Sequence, residues 1–411
     1  MLQIAHPWER RAVAAADAAL RAAAVLRGRR RALADPPVPR RILVLRLERI
    51  GDLLMSLPAL HALRARAPEA SIDLFVGSWN LPLALQISGP NAVETMDAAW
   101  LARGAATPGW TALVRQARSW RRRRYDLALN LEGDIRSNVL MALGGAARTA
   151  GFGMAGGGPL LDVCVAFDPR SHTAINGVRL VAAAFGEHPD REWPVEGREA
   201  AAALPRSALT IPPAAADEAD RLLAGVCAAP GLRPLVGLQV GAGRAVKEWP
   251  LARMAEVGAW AVRTRGAALV LTGSSADREA ARLLRQALPA SAPVADLTGE
   301  GDLLTLAAVL SRLSLFVTPD TGPMHLAAVV GTPLVAVFGP SSPDRWGPLA
   351  RACRIVRIDL PCSPCNRIRN PPARCQGHTP DCLEGITAAQ VIAAAGDLLD
   401  APRGEDADGR R

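Results

Sequence analysis

A chain of 411 residues and 43.2 kDa holds two or three domains at the usual ~100 to 200 residues each. Half of it is apolar, 21% is charged, and mean hydropathy is +0.13, which fits a globular chain better than a disordered or membrane-embedded one. A net charge of +9 and a pI near 10 point to acidic partners, but aromatics are only 4% of the chain and no basic stretch interleaves with them as a stacking platform for single-stranded nucleic acid would need.

Residues 1–40 form a basic, Ala/Arg-rich helical extension that ends in the breaker Asp35-Pro36-Pro37-Val38-Pro39. Its alanines are interrupted by Asp17 and Arg21 and preceded by Glu9, Arg10 and Arg11, so it does not read as a signal peptide. No apolar run reaches the ~18 to 20 residues of a membrane span, and the richest, Leu326 to Phe338, is broken by Gly331, Thr332 and Pro333. The expected location is the cytoplasm, with the protein peripheral on the inner face of the membrane if the basic extension lies on anionic lipid.

Residues 41–190 read as a first α/β domain. The apolar run Ile42 to Leu47 is followed by Glu48-Arg49-Ile50-Gly51-Asp52, a helix to about Ala67, and strands at Ile72 to Val76 and Leu127 to Leu131. The basic run Arg121 to Arg124 precedes the last of these. Residues 191–234 turn to Pro, Ala and charge and form a linker with a connecting helix. A second α/β domain, 235–400, has strands at Leu235 to Val240, Ala268 to Thr272, Leu315 to Val317 and Leu334 to Phe338, with helices between them. Pro250 suits a first helical turn and Asp302 can cap the helix Leu303 to Leu313. Residues 401–411 are a flexible tail. Strands and helices alternating at this spacing predict two parallel sheets covered on both faces, with ligands in a cleft facing their carboxyl ends.

Three motifs carry chemistry. The literal Gly151-x-Gly153-x-x-Gly156 follows Ala146 to Ala150 rather than a strand and opens no helix, so it reads as a glycine loop, not a dinucleotide fingerprint. In contrast, Val240-Gly241-Ala242-Gly243-Arg244-Ala245-Val246-Lys247 follows a strand, offers backbone N–H groups at Gly241 and Gly243, and carries the sole lysine among 48 basic residues. Where arginine stands at every other basic position, the surviving lysine is a candidate for a site where a compact ammonium matters, and its place after this loop suits a diphosphate. Lastly, Thr318-Pro319-Asp320-Thr321-Gly322-Pro323-Met324-His325 follows a strand and opens a helix, pointing free N–H groups at an anion.

Ile42 to Pro68, with Gly51-Asp52 after the first strand, Lys247-Glu248-Trp249-Pro250, Leu271-Thr272-Gly273 followed by Glu279, Asp296-Leu297-Thr298-Gly299, and Asp320-Thr321-Gly322-x-x-His325-Leu326-Ala327 together resemble glycosyltransferase family 9, the ADP-heptose:lipopolysaccharide heptosyltransferases. The resemblance runs from about Arg41 to Asp400. It implies two Rossmann-like domains in the GT-B arrangement, parallel sheets facing a central cleft, and inverting transfer of heptose or a related sugar from an ADP-activated donor to a lipid-linked lipopolysaccharide core or similar glycan. It further implies Asp52 as the general base, with Gly51 beside it and His172 on the acceptor side. Lys247 falls to the donor diphosphate, Glu279 to the ribose hydroxyls, Leu297, Thr298 and Gly299 to the border of the nucleobase. Asp320 holds the transferred sugar, Thr321 and Gly322 contact phosphate, and His325 lies near the donor. Ile175 and Asn176 stand where members often carry Glu and Arg, and Glu300 replaces a common lysine.

The chemistry implied needs no catalytic cofactor. Cys362, Cys365, Cys375 and Cys382, spaced C-x2-C-x9-C-x6-C in the loop 361–383, suit a structural zinc ion or free thiols better than disulfides in a reducing compartment, with His378 as a substitute ligand. Two alternatives share the fold: a nucleotide-sugar epimerase and a non-catalytic nucleotide-sugar-binding scaffold. The Asp52, Lys247 and Asp320 set weighs against the scaffold.

Overall fold

Short apolar runs without polar alternation must be buried on both faces, which a parallel sheet with flanking helices achieves. In the computed structural model, which describes residues 7–26, 38–101, 108–187, 197–226 and 233–401, they build two compact units. One comprises Met1–Thr210 with the short segment Asp344–Trp346, the other Ile211–Pro343 with Gly347–Arg411.

The first unit contains β1 (Arg41–Arg46), β2 (Ser71–Val76), β3 (Ala92–Thr95), β4 (Leu127–Asn130), β5 (Arg148–Phe152) and β6 (Val163–Val165) in the order β3-β2-β1-β4-β5-β6, all parallel. The second contains β7 (Leu235–Gln239), β8 (Ala268–Thr272), β9 (Val294–Asp296), β10 (Leu315–Pro319), β11 (Leu334–Val337) and β12 (Cys353–Val356) in the order β12-β11-β10-β7-β8-β9, again all parallel. Each sheet thus reverses its strand order once, between β1 and β4 and between β7 and β10. At such a switch point the connecting loops leave to opposite sides and open a crevice beyond the carboxyl ends of the strands.

The seven strands expected from apolar runs are all present. Of the five others, β3, β6, β9 and β12 are the sheet edges, where partial burial removes the need for an apolar run, and β5, buried one place in from an edge, is built mostly of small and polar residues (Arg148–Phe152). One of them corrects the reading of Gly151, which sits inside β5; the glycine loop after it still opens no α-helix, only a 3-10 turn at Gly158–Leu160. The helix expected to run to Ala67 is two helices, Ile50–Met55 and Leu57–Arg66, divided at Ser56 because Pro58 has no N–H for the continuing ladder. Asp302 caps its helix through the N–H groups of Leu304 and Thr305 at 3.0 and 2.8 Å, and Pro250 is the N-cap of Leu251–Arg265.

The extension is a helix over Pro7–Leu26. Asp17, on its inward face, is buried and accepts the Gly157 N–H at 2.7 Å, which seats the helix on the Gly158–Leu160 turn. The Arg27 to Arg31 cluster, Cys227 and nearly all of the tail lie outside the described residues.

Candidate functional site

In the first unit, the loop after β1 enters the switch point. Asp52 opens the helix Ile50–Met55, and its Oδ2 accepts the Arg49 N–H at 3.1 Å, a capping contact that fixes the carboxylate. The side chain remains 25% exposed, with Oδ1 3.8 Å from Arg46 Nη2. Arg46, buried at the end of β1, donates from Nε to the Asp52 carbonyl at 2.9 Å, and from Nη1 to the Leu131 carbonyl at 2.7 Å and Glu48 Oε2 at 2.9 Å. Trp79 Nε1 and Asn80 Nδ2 hold the Glu48 carbonyl at 2.8 and 2.9 Å. Across the crevice, buried Glu132 accepts the Leu47 N–H and the Ser137 hydroxyl; burial pushes its carboxyl up to about 7 despite those bonds and the Arg46 charge. The Arg345 guanidinium lies 4.9 Å from the Phe167 ring and 4.3 Å from that of Trp346; burial lowers its pKa, and the charges of Glu48 and Asp52 oppose the shift. His172 caps the helix Thr173–Ala184, its Nδ1 accepting the Ala174 N–H at 3.1 Å, with the ring fully buried.

In the second unit, the corresponding crevice holds the lone lysine. Lys247 Nζ lies 2.7 Å from Asp320 Oδ2, their side chains 20% and 8% exposed, and 3.3 Å from the Asp320 carbonyl. Ser341 donates its hydroxyl to the same Asp320 oxygen. Thr321 is the N-cap of the helix Gly322–Val330, in which His325 is buried. The ammonium and the Ser341 hydroxyl therefore meet on one buried carboxylate, directly before the N-terminus of a helix.

The glycine loop differs from expectation. A Cβ at Gly241 would collide with the Asp277 carboxylate, and the Ala242 N–H donates to the Glu248 carboxylate, whose pKa is raised by burial and by Asp277. Two acids, rather than open N–H groups, thus face Gly241 and Ala242. The Asp296 and Gly273 motifs, far apart in sequence, meet: the Gly299 N–H donates to the Gly273 carbonyl at 2.9 Å. Gly299 needs its φ of +79°, and a Cβ there would stand 2.9 Å from Ser275 Cα. Leu297 and Thr298 are buried beside this turn, and the Thr298 hydroxyl has no hydrogen-bond partner among the described residues. Glu279 stands apart from these contacts: it is 68% exposed and its carboxylate pairs with Arg282 at 2.6 Å.

Cys362, Cys365, Cys375 and Cys382 border one cavity of about 30 Å³ against Val246 and Pro340. Burial and the three other thiols push the Cys382 thiol up to about 11. Among the described residues, no group of three or more His, Cys, Asp or Glu is spaced to hold a metal ion. On the other side of Val246, an open pocket of about 600 Å³ is bounded by Ala245, Glu248, Cys375 and His378, a size suited to a small ligand.

Sequence reasoning missed Arg46, Glu132, Ser341 and Asp277. For the first two a signal existed: each is a charge placed directly on the carboxyl end of a buried apolar run, where burial without a partner is costly.

Two Rossmann-like sheets in succession on one chain, each with charged side chains at its switch point, define the two-domain class that includes the GT-B glycosyltransferases. The family model described as glycosyltransferase family 9 (heptosyltransferase) matches residues 113–374. Lipopolysaccharide heptosyltransferase 2 of Salmonella typhimurium is 30% identical over 328 residues, covering 77% of this chain and 88% of that protein, and its Escherichia coli K12 namesake is 30% identical over 323 residues with the same coverage. The solved structure of E. coli ADP-heptose lps heptosyltransferase II superposes with a TM-score of 0.69 at 24% identity, over 87% of this chain and 98% of that one. The chain belongs to glycosyltransferase family 9.

Proposed function

We propose that the chain is an inverting glycosyltransferase that moves heptose from ADP-heptose to a lipopolysaccharide core acceptor. The observation that carries this reading is the Lys247–Asp320 pair at the β7/β10 switch point, in a family whose relatives bear the heptosyltransferase name.

The reaction divides into two functions, one for each unit. Asp52 takes the proton of the acceptor hydroxyl as the anomeric carbon gains oxocarbenium character. Lys247 and the first turn of Gly322–Val330 neutralise the departing diphosphate. Asp320 keeps the ammonium in place until the donor arrives and then faces the transferred sugar. Gly51 lies beside Asp52 in the first turn of the helix Ile50–Met55, and Leu297, Thr298 and Gly299 border the base. The two acids at Gly241 are better placed for ribose hydroxyls than Glu279, because they line the glycine loop while Glu279 is taken by Arg282. His172 supports the acceptor side by capping its helix.

No cofactor takes part in this chemistry. Four cysteines on one small cavity are donors of the kind zinc takes, although among the described residues they are not spaced to hold an ion, and a structural zinc ion there would have to draw loop 361–383 together. The acceptor is lipid-linked and the enzyme is cytoplasmic, peripheral on the inner membrane surface. Among the described residues no helix is long and apolar enough to cross a membrane. A basic surface is available on the helix Trp110–Ser119 and the turn after it, where Arg115, Arg118 and Arg122 are exposed along one stripe opposite buried Leu113, Ala117 and Trp120.

The test is transfer from ADP-heptose to a heptose-deficient core acceptor, read as release of ADP; UDP-sugars in place of the donor should give none.

A further inference from the structure

We propose that Arg46 is a positioning residue for Asp52, holding the loop 48–52 so that one carboxylate oxygen stays open to the acceptor. The proposal rests on the reading of Asp52 as the base.

Arg46 ends a strand whose other inner residues, Ile42 to Leu45, are apolar and buried. A guanidinium that is only 2% exposed is costly unless its donors are used. Here they are used on both sides of the switch point. The fork bonds the Asp52 carbonyl and the Glu48 carboxylate on its own loop, and the Leu131 carbonyl at the end of the neighbouring strand. The same loop is gripped from its other face by Trp79 and Asn80 on the Glu48 carbonyl, and the strand end is braced by Glu132 on the Leu47 N–H. The backbone is therefore fixed at positions 47, 48 and 52.

The consequence falls on the Asp52 side chain. Its Oδ2 is engaged with the Arg49 N–H at 3.1 Å. Oδ1 lies 3.8 Å from Arg46 Nη2, close enough for charge attraction and too far for a hydrogen bond. Arg46 thus places a counter-charge beside Oδ1 without occupying its lone pairs, which leaves that oxygen able to accept a proton. A lysine would keep the charge but could not span three acceptors with a planar fork.

The test is a double-mutant cycle in the full-length protein with ADP-heptose and the core acceptor. In Arg46→Lys, kcat should fall ~10-fold or more, because small misplacements of a reacting group are costly, while donor KM stays within about twofold. In an Asp52→Asn background, the same substitution should change residual kcat by less than about twofold. The proposal is overturned if Arg46→Lys keeps its kcat, or if it loses as much in the Asp52→Asn background as in the wild type. Arg46→Gln serves as the second variant, and failure of both to fold, read by circular dichroism and ADP binding, overturns it by assigning Arg46 to the core alone. Normal turnover by Asp52→Asn on its own sinks the base reading instead; an inactive Asp52→Asn beside a fully active Arg46→Lys sinks only this proposal.

Discussion

Lys247 and Asp320, 73 positions apart in the chain, form a 2.7 Å ion pair at the mouth of the β7/β10 crevice. The lysine is the single one among 48 basic residues, and its partner is a buried carboxylate also held by Ser341. A pair so placed is balanced in charge and keeps the ammonium partly stripped of water.

Lys247→Ala should lower kcat/KM by ~10-fold or more, about 1.4 kcal/mol of transition-state stabilisation. Lys247→Arg should recover only part, because a planar guanidinium does not reproduce the compact ammonium's contact with Asp320. Initial rates over a donor series check this; wild-type kinetics in either variant would remove the lysine from the donor site.

Asp52→Asn keeps the shape of the side chain and an oxygen for the Arg49 N–H, but it cannot hold a proton at neutral pH. Turnover should drop ~100-fold or more while ADP affinity, measured by calorimetry, is unchanged. An active Asn variant would leave Asp52 as a helix cap.

Glu132 makes a statement about stability. Its carboxyl is raised from 4.5 to about 7 by burial, so the folded state binds the proton more tightly than the unfolded chain. The stabilisation is complete below pH 4.5 and is lost as pH rises through 7. Glu132→Gln removes that dependence, so the stability of wild type relative to the variant should decline between pH 5 and pH 8. Urea unfolding midpoints measure it, and parallel curves would contradict the assignment.

The thiol cavity predicts a metal content. Purified protein should carry close to one zinc per chain, and a chelator should lower the melting temperature. Cys382→Ser should lose the metal and show the same lowered temperature. Metal-free protein of undiminished stability assigns the four residues to free thiols.

Membrane binding should reside in the stripe Arg115, Arg118 and Arg122 rather than in the N-terminal helix, whose inward face is committed to Gly157. Co-sedimentation with vesicles of anionic lipid should be weakened by high salt and by Arg→Glu at the three positions. A chain starting at Pro39 should bind as the full chain does; loss of binding on truncation would move the contact to the extension.

Much of this protein was legible from its residues. Predominantly apolar runs located the strands at the centre of both sheets, since double burial favours such runs, and a strand followed by a polar loop and a helix marked Asp52, Lys247 and Asp320. The edge strands escaped because partial burial leaves no period to read. The glycine loop misled: Gly241 and Gly243 suggested open N–H groups, whereas Asp277 and Glu248 close on Gly241 and Ala242. Spacing shows that a backbone can approach something closely, without showing what it approaches.

The sequence by itself determined two α/β units, a family, and the residues at the carboxyl ends of the strands, because these depend on patterns among neighbours in the chain. Only the tertiary structure decided which of those residues meet. β4 lies beside β1 and β10 beside β7 although two strands intervene in each case, and this order brings Leu131 and Glu132 to Arg46 and Leu47, and Asp320 to Lys247. Strand order is set by the summed packing of sheet and helices, and no local stretch of sequence carries that sum.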